Sequence, residues 1–134
     1  MTSVVVYKGE LRTQATHIRS ANQLITDAPV DNNGKGQAFS PTDLVATSLA
    51  SCIFSIMGIA AAKREIPMEG AFAQVTKVME SNPRRISKII VDIQMPKNIS
   101  YTEDQQKFLK KVGETCPVGS SLHPDLVQEI SIKF

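Results

Sequence analysis

Two cysteines, Cys52 and Cys116, are the residues of this 134-residue sequence best suited to covalent chemistry. The thiolate form of cysteine is both a nucleophile and a metal ligand. The two cysteines are far apart in the chain, and neither belongs to a C-x-x-C pair, which excludes a thioredoxin-like motif. Chemistry that uses both thiols therefore depends on the fold to bring them together.

Each cysteine also has a structural interpretation. Cys52 is either a small apolar residue that fills a core gap or a thiol in a pocket left open by the small side chains around it. Cys116 precedes Pro117, which suits the first turn of a helix, so the thiol is expected at a helix N-terminus, where thiolate is favoured. Its alternative is a passive thiol in a connecting segment.

The two histidines, His17 and His123, extend the inventory of reactive groups. Either one is able to lower a thiol pKa or relay a proton, and a surface or structural role is the alternative for each. Two cysteines and two histidines also match the ligands of a tetrahedral zinc site. The sequence lacks locally paired ligands of the kind that zinc sites usually have, so zinc binding is a minor alternative.

The first half of the chain predicts strands followed by one long helix. Short strands are expected at residues 3–8, 11–18 and 23–26, and a long polar loop follows at residues 27–39. Ser40 as N-cap, Pro41 at the first helical position and Asp43 three residues after the cap predict a helix start. The helix should run to about residue 64, because Pro67 prevents continuation.

The second half predicts a strand pair, a second helix and a final strand. Alternating apolar residues predict strands at 71–79 and 86–95, which pair across a turn. Thr102 and Gln105 form a capping-box pattern for the second helix, and residues 130–134 form the last strand. This order predicts an α+β fold with an antiparallel sheet, and the length predicts a single domain over residues 1–134.

Composition narrows the class of protein. A formal net charge of +2, seven Tyr and Phe side chains together and no tryptophan argue against nucleic-acid binding. The N-terminal residues do not resemble a signal peptide, which predicts a cytoplasmic protein with reduced thiols. Residues 44–62 carry no charge, and their serines and alanines favour a buried central helix packed on all sides over a membrane span.

Two segments resemble a known family. Residues 40–52, SPTDLVATSLASC, are similar to the first-cysteine helix of the osmotically inducible protein C / organic hydroperoxide resistance (OsmC/Ohr) family. Residues 114–122, ETCPVGSSL, are similar to its second-cysteine segment, in which Cys-Pro opens a short helix. The predicted order of elements agrees with the family across nearly the whole chain, and the sequence resembles a less characterised OsmC-like branch.

The resemblance implies a thiol-dependent peroxidase that reduces organic hydroperoxides in oxidative stress defence. Cys52 would attack the peroxide and become a sulfenic acid, and Cys116 would condense with it to a disulfide that an external thiol or dithiol reduces. This cycle requires no cofactor or metal. The family also implies an intertwined homodimer with its pockets at the subunit interface.

The family places an arginine from the N-terminal strands beside the first cysteine and holds it with a carboxylate near the start of the cysteine helix. Arg12 is the nearest positional match, with Arg19 in reserve, and a solvated strand charge is the alternative for both. The family's peroxidases have glutamate where this chain has Thr42, so Asp43 is the candidate carboxylate, with helix capping as its alternative. This departure motivates a second hypothesis: a non-catalytic protein that binds a small hydrophobic ligand in the same pocket.

Overall fold

The computed structural model describes the whole chain, Met1–Phe134, which forms two compact units, Met1–Val45 and Ala46–Phe134. The single domain expected over residues 1–134 stays a prediction. Six strands, three α-helices and one 3-10 turn follow one another along the chain. Their bounds are β1 Ser3–Gly9, β2 Arg12–His17, β3 Gln23–Asp27, the 3-10 turn Val30–Asn32, α1 Pro41–Ala62, β4 Phe72–Glu80, β5 Arg85–Gln94, α2 Glu103–Gly113, α3 Pro117–Ser121 and β6 Val127–Lys133.

The first unit contains a three-stranded antiparallel sheet in the order β1-β2-β3. The tight turn between β1 and β2 uses three consecutive residues with positive φ, Gly9, Glu10 and Leu11. The register of the second hairpin places Arg12 directly opposite Asp27. Opposite charges in facing positions stabilise two antiparallel strands.

The second unit contains the main hydrophobic core. The sheet β4-β5-β6 contributes Ile89, Val91 and Ile93, all of them in β5 and almost completely buried. The same cluster includes Leu49 and Ile53 of α1, and it also includes Leu109 of α2 and Cys116. Alternating burial along β5 is the period-two pattern expected of a strand with one face in the core.

The sheet of the second unit is mixed, so the prediction of a wholly antiparallel sheet is wrong in one pair. β4 and β5 form the expected antiparallel pair, but β6 lies parallel to β5, with Lys88 opposite Val127. The reason is that α2 and α3 lie between these two strands in the chain. A helical crossover returns the chain to the same end of the sheet and thereby permits parallel pairing.

The helix α1 is long and apolar enough to cross a membrane by length and composition, a test that the core helix of a soluble protein also passes. Its residues Leu49, Ile53 and Met57 are fully buried in the chain, as expected of a core helix. The expected packing on all sides is not seen in the single chain, because Ser51, Ser55 and Ile59 of the same helix are exposed. One face of α1 is therefore in the core and the other is open.

Candidate functional site

Cys52 lies at the edge of the buried face of α1. Its side chain is half-buried and packs against the hydrophobic cluster, while the adjacent Ser51 is exposed and Ile53 is fully buried. The helical period explains this position, because each successive residue is rotated by about 100° around the axis. Cys52 is therefore in contact with the core without being enclosed by it.

Cys116 is the N-cap residue of α3, as the Cys-Pro sequence predicts. Pro117 occupies the first turn, where the missing N–H costs no hydrogen bond. The Gly119 N–H donates to the Cys116 sulfur at 3.4 Å, and the thiol donates to the carbonyl oxygen of Leu49 at 3.9 Å. Only 3% of Cys116 is exposed, so its sulfur is held between α3 and the buried face of α1.

The thiolate expected for Cys116 at a helix N-terminus is not the favoured form. Burial raises the pKa of the Cys116 thiol, and its hydrogen bond with the Cys52 side chain raises this pKa further. The Gly119 N–H acts in the opposite direction and lowers the pKa, but burial is the larger effect. A five-residue helix offers few N–H groups and little dipole, so Cys116 is held as a neutral thiol.

The two thiols are neighbours although they are distant in the chain. The Cys52 side chain is near enough to raise the pKa of Cys116, and both cysteines are free thiols in the structure. The packing of α1 against the segment that precedes α3 produces this contact, through the shared neighbour Leu49. The fold therefore brings the two thiols near each other, whereas their individual roles stay predictions.

Arg12 is paired with a buried carboxylate within the first unit. Its Nε donates to Asp27 Oδ1 at 2.7 Å and its Nη2 donates to Asp27 Oδ2 at 2.9 Å. The hydrogen bonds with Arg12 hold the pKa of Asp27 below its usual value, and Asp27 in turn raises the pKa of Arg12. Arg19, the reserve candidate, is exposed in the turn after β2.

Asp43 is engaged at the start of α1. Its carboxylate accepts the backbone N–H of Ser40 at 2.8 Å, and its own N–H donates to the Ser40 hydroxyl at 3.1 Å. These reciprocal bonds satisfy two backbone donors that a helix start would otherwise leave without partners. The Thr42 hydroxyl lies 3.1 Å from the same Ser40 hydroxyl.

Asp27 and Gln37 also belong to this arrangement, and neither was predicted from the sequence. Gln37 accepts from Arg12 Nη2 at 3.2 Å through its side chain, and its backbone N–H donates to Asp27 Oδ2 at 3.1 Å. The hairpin register could have predicted the partner of Arg12. A register that sets Thr16 opposite Gln23 also sets Arg12 opposite Asp27. Gln37 lies in an irregular loop and carries no comparable signal.

The histidines make local contacts. His17 Nδ1 lies 2.7 Å from the Ser20 hydroxyl, and His123 Nδ1 accepts the backbone N–H of Asp125 at 3.2 Å. No group of three or more His, Cys, Asp or Glu side chains in the structure is placed to hold a metal ion. Zinc binding stays an untested alternative.

Comparison with known proteins gives a match to one family model, described as OsmC-like protein, over residues 34–131. No curated protein sequence matches the chain. Among solved structures, a putative osmotic stress induced and detoxification response protein from Psychrobacter arcticus is similar along almost the whole length. It is 51% identical with a TM-score of 0.94, and the alignment covers 99% of this chain and 96% of that one.

More distant structures share the fold. An organic hydroperoxide resistance protein OsmC from Legionella pneumophila is 16% identical with a TM-score of 0.76, and the alignment covers 100% of this chain and 98% of that one. A putative organic hydroperoxide resistance protein from Vibrio cholerae, with captopril bound in one of its active sites, is 14% identical with a TM-score of 0.69. That alignment covers 98% of this chain and 91% of the Vibrio protein.

Proposed function

The chain belongs to the OsmC-like family, and from this premise we propose that it is a thiol-dependent peroxidase that reduces organic hydroperoxides. The observation that carries the proposal is the proximity of Cys52 and Cys116, two free thiols whose side chains interact. Two proteins of the same fold are described as organic hydroperoxide resistance proteins. The substrate class follows from them by analogy.

In the proposed cycle, the Cys52 thiolate attacks the terminal oxygen of the hydroperoxide. The O–O bond breaks, the substrate leaves as an alcohol after taking up a proton, and Cys52 becomes a sulfenic acid. The Cys116 sulfur then attacks the Cys52 sulfur, so that a disulfide forms and water leaves. A dithiol reductant restores both thiols by thiol–disulfide exchange and is itself oxidised.

The different environments of the two sulfurs support this division of roles. A peroxide must reach the attacking sulfur, and Cys52 is half-buried whereas Cys116 is almost completely buried. The raised pKa of Cys116 keeps this buried sulfur protonated, and the thiol donates to the Leu49 carbonyl oxygen.

Arg12 is proposed as the cation that stabilises the Cys52 thiolate. An ordinary thiol with a pKa of about 8.5 is only a few per cent thiolate at neutral pH, so a nearby positive charge increases the reactive fraction. The support from this chain is that the Arg12 side chain is held in one orientation by two hydrogen bonds to Asp27. Asp43, at the start of the cysteine helix, is also proposed as a carboxylate that supports Arg12.

We also propose that the working unit is a homodimer in the cytoplasm, where reductants keep thiols reduced. Strand β1 exposes consecutive apolar residues, with Val5 61%, Val6 50% and Tyr7 65% exposed. Consecutive strand residues point to opposite faces, so both faces of this strand are apolar and uncovered. The open face of α1 adds Ile59, which is 62% exposed. Apolar surface of this extent is typical of an interface.

The test is peroxide consumption by the reduced protein, with cumene hydroperoxide and dithiothreitol or dihydrolipoamide. We expect rapid turnover by the wild type, abolished in Cys52→Ser, and a Cys52–Cys116 disulfide trapped in the wild type. In Cys116→Ser we expect one turnover per subunit followed by slow regeneration. Turnover no faster than the free thiol in all three proteins would reject the peroxidase and favour the ligand-binding hypothesis.

A further inference from the structure

One polar residue, Gln128, lies on the apolar face of strand β6. Its two neighbours in the strand are exposed, whereas Gln128 is half-buried, and Ile130 and Ile132 follow on the same face. The residue opposite Gln128 in β5 is Ile89, which is fully buried. A polar side chain that faces a core is stable there when it has a hydrogen-bond partner, so the partner of Gln128 indicates what the residue does.

The partner of Gln128 is the backbone of the short helix α3. Its side-chain Nε2 donates to the Gly119 carbonyl oxygen at 2.9 Å. The helix also passes close to both of its neighbours, because a Cβ at Gly119 would lie 2.7 Å from Gln128 Oε1 and 3.4 Å from Leu49 Cδ1. The absence of a side chain at this position permits the close approach. Gly119 is therefore placed between β6 and α1.

The same glycine contacts the sulfur of Cys116. Its N–H donates to Cys116 Sγ at 3.4 Å, and the Ser120 N–H donates to the Cys116 carbonyl oxygen at 3.0 Å and closes the turn. Hydrogen bonds therefore connect the Gln128 side chain, the Gly119 backbone and the Cys116 thiol in series. The series ends at a sulfur whose pKa is raised in part by Cys52, so it reaches the pair of thiols.

The helix α3 depends on such contacts, because a helix of five residues is not stable by itself in water. Val118 and Leu122 pack against the hydrophobic cluster, and the Cys116 thiol donates to the Leu49 carbonyl oxygen at 3.9 Å. The contact with Leu49 cannot persist in the proposed cycle, since disulfide formation removes the proton from the Cys116 sulfur. The hydrogen bond from Gln128 involves no reacting atom and is able to persist throughout.

We infer that Gln128 is a positioning residue that holds α3 in place while the Cys116 sulfur attacks Cys52. The inference rests on the proposed function, because it assigns a task in the second step of that cycle. Gln128 acts through Gly119 and donates no hydrogen bond to either sulfur in this assignment. Without Gln128, the Cys116 sulfur is less often oriented for attack, so a sulfenic acid on Cys52 persists for longer before it is converted to the disulfide.

The experiment follows the reaction of the reduced protein with one equivalent of dithiodipyridine per subunit, which needs no peroxide. Cys52 attacks the reagent, forms a mixed disulfide and releases a first pyridinethione. Cys116 then attacks the Cys52 sulfur and releases the second pyridinethione, so the two thiols are oxidised and the reagent is reduced. Absorbance records both releases, and mass spectrometry identifies the mixed disulfide and the final disulfide. Cys116→Ser should show the first release alone, which assigns the two phases.

Gln128→Met is the principal variant, because it preserves the length of the side chain and removes the donor. The first release should be unchanged, and the second should be slower by roughly two- to tenfold, the factor that corresponds to the net value of one hydrogen bond. Gln94→Met is the matched control. Gln94 of β5 also donates from Nε2 to a backbone carbonyl, that of Lys133 at 3.3 Å, at the other end of the paired strands β5 and β6. Both of its releases should match the wild type.

A purely structural role predicts a different result, because a general loss of structure changes both releases. If Gln128→Met does not fold, Gln128→Ala replaces it with the same expectation. The inference is overturned if the second release is unchanged or faster, if both releases slow together, or if Gln94→Met reproduces the effect. A wild type without the second release overturns the inference together with the disulfide step of the proposed cycle. Two normal releases without peroxide turnover reject the peroxidase alone.

Discussion

The sulfur of Cys116 lies 3.9 Å from the carbonyl oxygen of Leu49 and accepts the Gly119 N–H at 3.4 Å. The carbonyl oxygen requires a proton on the sulfur, whereas the N–H favours a thiolate, so the two contacts oppose each other. Burial resolves the conflict, because removing a charged thiolate from water is unfavourable, and the pKa of Cys116 is raised. The protonated Cys116 thiol therefore donates a hydrogen bond to the backbone of α1.

We expect Cys52→Ala to lower the pKa of Cys116. The change removes the hydrogen bond and the charge that raise this pKa, but it leaves burial, which is the largest cause. The midpoint of Cys116 alkylation against pH should therefore fall toward the ordinary value of about 8.5 without reaching it. The midpoint, unlike the absolute rate, is insensitive to how often the buried thiol becomes accessible. A midpoint that rises or does not move would contradict the interaction between the two thiols.

The pair Arg12–Asp27 predicts a specific dependence of stability on acidity. Since the pKa of Asp27 is lowered in the folded protein, the unfolded chain binds its proton more readily as the pH falls. The stabilisation is complete above the unfolded value of about 3.9 and is lost as the pH falls through the folded value. Denaturant unfolding at several pH values should show a difference between wild type and Asp27→Asn that is constant at neutral pH and shrinks in acid. Asp27→Asn, alone or together with Arg12→Gln, should lack this dependence on pH, because the titrating carboxyl is absent.

Gly119→Ala should destabilise the protein by about 1–2 kcal/mol through overpacking. A Cβ at this position would lie 2.7 Å from Gln128 Oε1 and 3.4 Å from Leu49 Cδ1. The Gln128 side chain is not free to turn away without loss, because its Nε2 donates to the Gly119 carbonyl at 2.9 Å. Urea unfolding should therefore show that the double variant with Gln128→Ala loses less stability than the sum of the single variants. Strict additivity would mean that Gln128 is not the obstructing group.

The proposed homodimer predicts that a charge on either exposed apolar surface, strand β1 or the open face of α1, produces monomers. Val5→Asp in β1 or Ile59→Asp in α1 should lower the mass measured by light scattering at micromolar concentration, because burying an unpaired carboxylate at an interface is costly. Lys107→Asp at an exposed site on α2 is the control and should leave the mass unchanged. A wild type that is monomeric under the same conditions would count strongly against the dimer.

Local patterns in the sequence predicted the order and approximate bounds of the strands and helices. Each such pattern is contained within a few neighbouring residues. The capping box of Thr102 and Gln105 is present as expected, and Cys116-Pro117 does open α3. The parallel pairing of β6 was not predicted, since it depends on how α2 and α3 return the chain. The pairing of Arg12 with Asp27 was missed for a similar reason, because it depends on the register across β2 and β3, and the role of Asp43 stays a prediction.

The parallel pairing of β5 and β6 has a consequence for biosynthesis. Lys88 meets Val127 only after α2 and α3 have been translated, so the nascent chain leaves the ribosome with one edge of β5 unpaired. Strand pairings between residues that are distant in sequence form slowly. The entropy cost of closing the loop arises before the contacts that offset it have formed. Until β6 is added, the apolar residues of β5 are an aggregation hazard, and chaperone binding would be most useful in that interval.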